Sequence, residues 1–151
     1  VSDGWDRLAR ENMFPSQTDP YNDNDLIATD ATTAVSTFDM SHPLYLAITS
    51  FSAIRSDYPP LRRGVQIPPL AHREDSLFAF SRIDYDAGVE IVVAINAEEE
   101  ARDINVAVDG RAMTFSSLLG SCAVNANAPG SYSVSVPALD AVVCKAEFEV
   151  E

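Results

Sequence analysis

The chain has 151 residues, of which 46% are hydrophobic and 22% are charged, and its formal net charge is −13. This length and composition suit one globular domain, with or without an appendage. The negative charge argues against binding to nucleic acid or to an anionic membrane surface, because both require a basic face. No apolar run approaches the roughly 20 residues that a membrane-spanning helix needs.

Residues 1–40 are predicted to form an irregular loop, because they are rich in Asp, Asn, Ser, Thr and Pro and have no sustained hydrophobic period. The chain starts with Val1 rather than Met, and we expect it to be a portion of a longer protein. Acidic residues are frequent between Asp19 and Asp30, but Ile27 occupies a ligand position of a calcium loop and the required glycine is missing. We therefore predict a solvated loop and no metal site.

Residues 41–58 are predicted to form an amphipathic helix, because Leu44, Ile48 and Phe51 recur at helical spacing. Ser41 is the candidate N-cap, and the proline that follows two residues later is tolerated in a first helical turn. The Tyr-Pro-Pro sequence at 58–60 ends the helix, since proline disfavours the helical conformation of the residue before it. Residues 59–64 form the exit from this helix.

Residues 65–75 are interpreted as a connector that contains two consecutive prolines in its middle. After it the hydrophobic period changes to two, which is typical of strands. About six strands are predicted, at 77–83, 90–96, 101–108, 113–119, 132–136 and 142–150. Turn signals separate them at the spacing of a sandwich, so we expect residues 76–151 to form an antiparallel Greek-key β-sandwich.

Cys122 and Cys144 are the only cysteines of the chain. In an oxidising compartment they could form a disulfide that closes a loop of about twenty residues and contributes roughly 3 kcal/mol. The alternative is a free, buried Cys144 that behaves as a small hydrophobe. The sequence leaves both open.

Several sequence runs together resemble the end of a bacterial α-amylase-family glycoside hydrolase. The resemblance rests on the helix at 41–58, on its Pro-Leu-Arg-Arg-Gly exit at 60–64 and on Leu-Phe-Ala-Phe-Ser-Arg at 77–82. Two upstream runs, at 8–17 and 21–30, resemble the long loop that precedes the last helix in a bacterial subgroup of that family. Together these runs span nearly the whole chain.

The resemblance implies that residues 1–64 are the C-terminal remnant of a catalytic (β/α)8 barrel and that residues 76–151 are the all-β domain C. It further implies a parent enzyme that hydrolyses α-1,4-glucosidic bonds in starch or related α-glucans by a retaining mechanism with two carboxylates. In the family those carboxylates lie on earlier barrel strands. We therefore nominate no catalytic residue, expect no activity from this portion, and expect no cofactor in it, since the family's calcium sites lie elsewhere.

Domain C is expected to stabilise the barrel of the parent chain, which is thus the predicted partner, in a secreted or periplasmic protein. The alternative is a starch-binding or maltooligosaccharide-binding module, for which Trp5 and Tyr85 are the candidate sugar-stacking residues. A free-standing secreted interaction domain is a third alternative. Without the barrel, the apolar face of the helix at 41–58 is expected to pack on the sandwich, to self-associate or to leave the chain poorly soluble.

Overall fold

The structure is a computed structural model that describes residues 14–15, 25–72 and 76–150. The helices are α1 (Pro43–Asp57) and α2 (Pro60–Arg63), and the strands are β1 (Val65–His72), β2 (Leu77–Asp84), β3 (Val89–Asn96), β4 (Arg102–Ala107), β5 (Phe115–Leu119), β6 (Ser131–Val136) and β7 (Asp140–Glu147). The chain forms two compact units, Val1–Ala53 and Ile54–Glu151.

The first unit is irregular up to α1 in its described part, as predicted for the end of the loop. A single bridge pairs Asp25 with Thr32. The N-cap lies one residue later than predicted: His42 rather than Ser41 occupies the N-cap position before Pro43. The His42 Nδ1 accepts a hydrogen bond from the Leu44 N–H at 3.2 Å, and its Nε2 lies 2.8 Å from the Ile27 carbonyl oxygen. The His42 ring thus caps the helix and connects it to the loop.

Helix α1 has no buried residue. Its exposed apolar side chains are Leu44, Tyr45, Leu46, Ile48 and Phe51. In the first unit as a whole, the only buried residue among those described is Thr33. Burial of apolar side chains supplies most of the stability of a helix in a protein. The described residues of this unit do not provide such a core.

The second unit is a sandwich of two antiparallel sheets, which confirms the predicted mainly β fold. The larger sheet has five strands in the order β1-β2-β3-β7-β5, and the smaller sheet pairs β4 with β6. The chain changes sheet between β3 and β4, between β4 and β5, between β5 and β6 and between β6 and β7. As a result β7 lies between β3 and β5, neither of which is next to it in sequence.

The core lies between the two sheets and consists mainly of alternate residues of strands β2 to β7, as the period of two predicts. Its buried members are Leu77, Ala79, Val92, Ala94, Ile104, Val106, Val108, Ala112, Phe115, Tyr132, Val134, Val136, Val142, Cys144 and Ala146. The rings of Phe115 and Tyr132 stack with their centroids 3.8 Å apart. The Tyr132 hydroxyl donates to the Ala123 carbonyl oxygen at 2.7 Å, and burial raises its pKa to about 12.

Residues 65–75 are predicted to be a connector, but residues 65–72 form strand β1, so the prediction is wrong for this part. Proline cannot donate a backbone hydrogen bond to a sheet ladder, so two consecutive prolines are unusual in a strand. However, β1 is an edge strand that pairs only with β2, and its register shifts between Ile67 and Leu70. An edge position and an irregular register are where a sheet tolerates proline. The sheet therefore begins directly after α2.

Cys122 and Cys144 are joined by a disulfide, with their Cα atoms 5.8 Å apart and a sequence separation of 22. Of the two alternatives left open by the sequence, the structure has the bonded one. The bond connects the segment after β5 to the core face of β7, and a loop of this length contributes about 3 kcal/mol.

The side chain of Asn96 connects two segments that cross between the sheets. Its amide nitrogen lies 2.8 Å from the Glu100 carbonyl oxygen and 3.2 and 2.9 Å from those of Val136 and Pro137. Its amide oxygen accepts the Glu98 N–H at 2.9 Å. The side chain is only 2% exposed, so these backbone groups have little access to water as a substitute partner.

Replacing Asn96 by alanine should lower the free energy of unfolding by about 2–4 kcal/mol, because several buried backbone groups lose their partner. Urea denaturation followed by circular dichroism measures this loss. Asn105→Ala is the matched control. Asn105 is exposed on β4, and its side-chain oxygen accepts hydrogen bonds from the hydroxyls of Ser131 and Ser133. Equal stability losses in the two variants would contradict the role assigned to Asn96.

Candidate functional site

The two residues predicted to stack on sugars lie in different parts of the chain. Trp5 is outside the described residues, so its prediction stays a prediction. Tyr85 lies in the turn between β2 and β3, as expected, and is 45% exposed. Among the described residues, no three His, Cys, Asp or Glu side chains come together closely enough to hold a metal ion.

The β2–β3 turn that carries Tyr85 is fixed at both ends. The Ala87 N–H donates to the Asp84 carboxylate at 3.1 Å. Gly88 has a φ of +63° and its carbonyl oxygen accepts the Phe148 N–H at 2.8 Å. A Cβ atom on Gly88 would lie 2.1 Å from the Phe148 carbonyl oxygen, so only glycine fits this position. The segment after β7 thereby holds the turn in one conformation.

The guanidinium of Arg111 lies over the ring of Tyr85. Its Nε and Nη2 donate to the two carboxylate oxygens of Asp109 at 2.9 and 3.1 Å, and these bonds lower the pKa of Asp109. Its guanidinium lies 4.4 Å from the ring centre of Phe148 and 6.0 Å from that of Tyr85. The two-pronged bond to the carboxylate fixes the plane of the guanidinium against the aromatic rings.

Glu90 anchors this arrangement to the core. Its side chain is fully buried and accepts hydrogen bonds from the Ser81 hydroxyl and from the Asp109 N–H, the latter at 3.0 Å. Burial raises the pKa of this carboxyl, although the bonds from Ser81 and Asp109 oppose that shift. A line of contacts therefore runs from Glu90 through Asp109 and Arg111 to the Tyr85 ring.

An open depression lies beside Tyr85. Its polar and aromatic lining consists of Arg63, Asp84, Tyr85 and Asp86, which we call the hairpin site. Arg63 and Asp84 form an ion pair at 4.0 Å, with 76% of the Arg63 side chain exposed. The site thus offers one aromatic ring together with hydrogen-bond donors and acceptors. Its lining residues include no nucleophile paired with a base.

The outer face of the five-stranded sheet is the second surface of interest. Its apolar cross-strand rows are Phe78–Ile95–Ala141 and Phe80–Val93–Val143. Helix α2 packs against β2 and β3, and the outward-pointing Ile91 is fully buried. Farther along the sheet, Phe78 and Ile95 are 37% and 42% exposed. One end of this face is therefore covered and the other end is open.

Comparison with known proteins relates the whole chain to one group of enzymes. An alpha-amylase from Streptomyces lividans is 40% identical over 144 residues, which is 95% of this chain. The chain corresponds to part of an α-amylase-family protein. This finding confirms the family predicted from the sequence. The chain spans only 16% of the length of that relative, and no family model matches it.

Solved structures of the α-amylase family share the fold at low sequence identity. An alpha-amylase from Anoxybacillus superposes with a TM-score of 0.59 and 20% identity, covering 81% of this chain and 26% of its own. A debranching enzyme from Nostoc punctiforme gives a TM-score of 0.52 and 19% identity, covering 73% and 21%. A trehalose-6-phosphate hydrolase from Bacillus licheniformis gives 0.53 and 11%, covering 73% and 19%. Each of these similarities concerns the fold alone.

Sequence reasoning on this α-amylase-family chain missed Glu90 and Arg111. A signal for Glu90 was present, since Val92, Ala94 and Asn96 alternate inward and place Glu90 on the same face. Arg111 could not have been found, because its contacts with Phe148 and Tyr85 join three separate segments. Among the described residues, no helix has the length and apolar character needed to cross a bilayer.

Glu90→Gln should change how stability depends on pH. Because burial raises the pKa of Glu90 above its ordinary value of 4.5, the folded chain binds this proton more tightly than the unfolded chain does. The stabilisation that comes from binding this proton is therefore complete below pH 4.5 and is lost as the pH rises through the raised pKa. The free energy of unfolding of the variant, relative to the wild type, should increase from pH 4.5 towards neutrality.

Urea denaturation across this pH range measures the difference between the two proteins. Glu99→Gln, at an exposed position, controls for the loss of one negative surface charge. A difference that falls as the pH rises, or that matches the Glu99 control, would contradict the account of Glu90.

Proposed function

We propose that this chain is the non-catalytic C-terminal portion of an α-amylase-type glycosidase and that its sandwich stabilises the catalytic barrel. The parent enzyme would hydrolyse α-1,4-glucosidic bonds in starch or related α-glucans by a retaining mechanism with two carboxylates. The relationship to the Streptomyces lividans alpha-amylase supports this proposal. So does the small share of that relative which the chain spans, since most of such an enzyme would lie in other residues.

The uncovered apolar surface is the observation that carries the proposal. Helix α1 buries none of its residues, although five of its apolar side chains are exposed. The open end of the outer sheet face adds Phe78 and Ile95. Exposed apolar surface of this kind marks a place where another body packs. In a longer chain the natural occupant is the rest of the same polypeptide, here the catalytic barrel.

Glu90 and Asp84 of the sandwich do not suit glycoside hydrolysis. A retaining pair needs two carboxyl groups about 5–5.5 Å apart that both reach the scissile bond. Glu90 is fully buried and hydrogen-bonded to Ser81 and Asp109. Asp84 accepts the Ala87 N–H and pairs with Arg63. These engagements support a stabilising role rather than a catalytic one.

We further propose that the protein is secreted or periplasmic. The disulfide between Cys122 and Cys144 supports this location, because disulfides persist mainly in oxidising compartments. The net charge of −13 supports the absence of nucleic-acid and membrane partners. In the isolated chain, the exposed face of α1 would favour self-association, as expected from the sequence.

Phe78→Asp in the complete protein should lower the thermal midpoint and leave kcat/KM at room temperature unchanged. A charge placed in a packed apolar contact costs about 2 kcal/mol or more, whereas the reacting groups lie elsewhere. Scanning calorimetry and a starch-hydrolysis assay measure the two quantities.

Val124→Asp is the matched control, since Val124 is 65% exposed in the segment after β5 rather than in a strand of the sheet. An unchanged midpoint for the Phe78 variant would contradict the proposed contact. A lost activity with an unchanged midpoint would instead place Phe78 near the chemistry.

A further inference from the structure

We propose that the hairpin site binds a neutral α-glucan chain, with the ring of Tyr85 stacked on one glucose unit. The geometry itself specifies a neutral, polyhydroxylated ligand, and the choice of an α-glucan rests on the function proposed above. The proposal concerns binding alone. It adds a sugar-contacting surface to a module whose other role is mechanical support.

The platform for the sugar is the Tyr85 ring. A pyranose has an apolar face of C–H groups, which packs on a flat aromatic surface, while the tyrosine hydroxyl stays in water. Tyr85 is 45% exposed and lines an open depression. Phe115 and Tyr132, the aromatic pair of the core, are buried and stacked on each other, so neither can serve this purpose.

The groups around the ring match the edge of a sugar. Vicinal hydroxyls both donate and accept hydrogen bonds, so a sugar site needs acceptors and donors side by side. Asp84 and Asp86 supply carboxylate acceptors, and Arg63 supplies guanidinium donors. The Asp84 carboxylate is oriented by the Ala87 N–H and by Arg63, and a carboxylate with about four lone-pair positions retains capacity for a ligand.

The charges select a neutral ligand. Two carboxylates line the depression, and the chain as a whole carries a net charge of −13, so a phosphate or an acidic peptide would be repelled. The guanidiniums of Arg63 and Arg111 lie at the depression and over the Tyr85 ring, respectively, and they disfavour a cation. An uncharged sugar is repelled by neither the carboxylates nor the guanidiniums, and it can form hydrogen bonds with both.

The site is already held in its binding conformation. The turn is pinned by the Phe148 N–H on the Gly88 carbonyl oxygen, and Arg111 is fixed by its two bonds to Asp109. A ligand therefore does not have to order the loop when it binds, which removes an entropic penalty from association.

Isothermal titration of the full chain with maltoheptaose tests the proposal. Tyr85→Ala should weaken binding about three- to tenfold, as expected for the loss of one stacking contact. Tyr85→Phe retains the ring and should bind as the wild type does. Tyr45→Ala is the matched control, because Tyr45 is 48% exposed but lies on α1. Asp86→Ala should also weaken binding, and thermal melting shows whether each variant is folded.

Two results would overturn the proposal. One is binding that is equally strong in Tyr85→Ala and the wild type, which would place the sugar elsewhere on the chain. The other is the absence of any heat or chemical-shift change with maltoheptaose at millimolar concentration. Neither result touches the proposed stabilising function, since that function is measured by the thermal midpoint of the complete protein.

Discussion

The central strand β3 is the constraint on which the rest of the structure depends. It pairs with β2 on one side and β7 on the other, and its residues from Ile91 to Ile95 are apolar on both faces. A strand of this kind is stable only if both faces of the sheet are covered. The inner face is covered by β4 and β6. The outer face is covered by α2 near Ile91 and is open near Ile95. This asymmetry is the physical basis for assigning the module to a larger body.

Polar groups and the disulfide then fix the connections and side-chain positions that the apolar core alone does not determine. Asn96 fastens two crossings between the sheets, and the disulfide connects the segment after β5 to β7. Glu90 is an ionisable group on the core face, where desolvation opposes its charge. It is tolerated there because Ser81 and the Asp109 N–H bond its carboxylate. The same bonds position Asp109 and, through it, Arg111 beside Tyr85.

Features that depend only on residues close together in sequence could be predicted. The period of two identified the inward residues of β6 and β7, and the proline-rich exit marked the end of α1. The family resemblance rested on longer runs and is confirmed by the Streptomyces lividans relative. Strand β1 was missed because its prolines are acceptable only at an edge, and strand order is not readable from sequence. The turn pointed to Tyr85, whereas Arg63 of the hairpin site and Arg111 at the Tyr85 ring come from distant segments that the sequence pattern does not bring together.

Hydrogen exchange of α1 tests the central claim most directly. The amides of residues 43–57 should be compared in this chain and in the complete protein by mass spectrometry. If the apolar side chains of α1 pack against the rest of an α-amylase-family chain, these amides should exchange markedly more slowly in the complete protein. Equal exchange in the two proteins would show that α1 remains uncovered, and it would contradict the account of this chain as a packed portion of a larger enzyme.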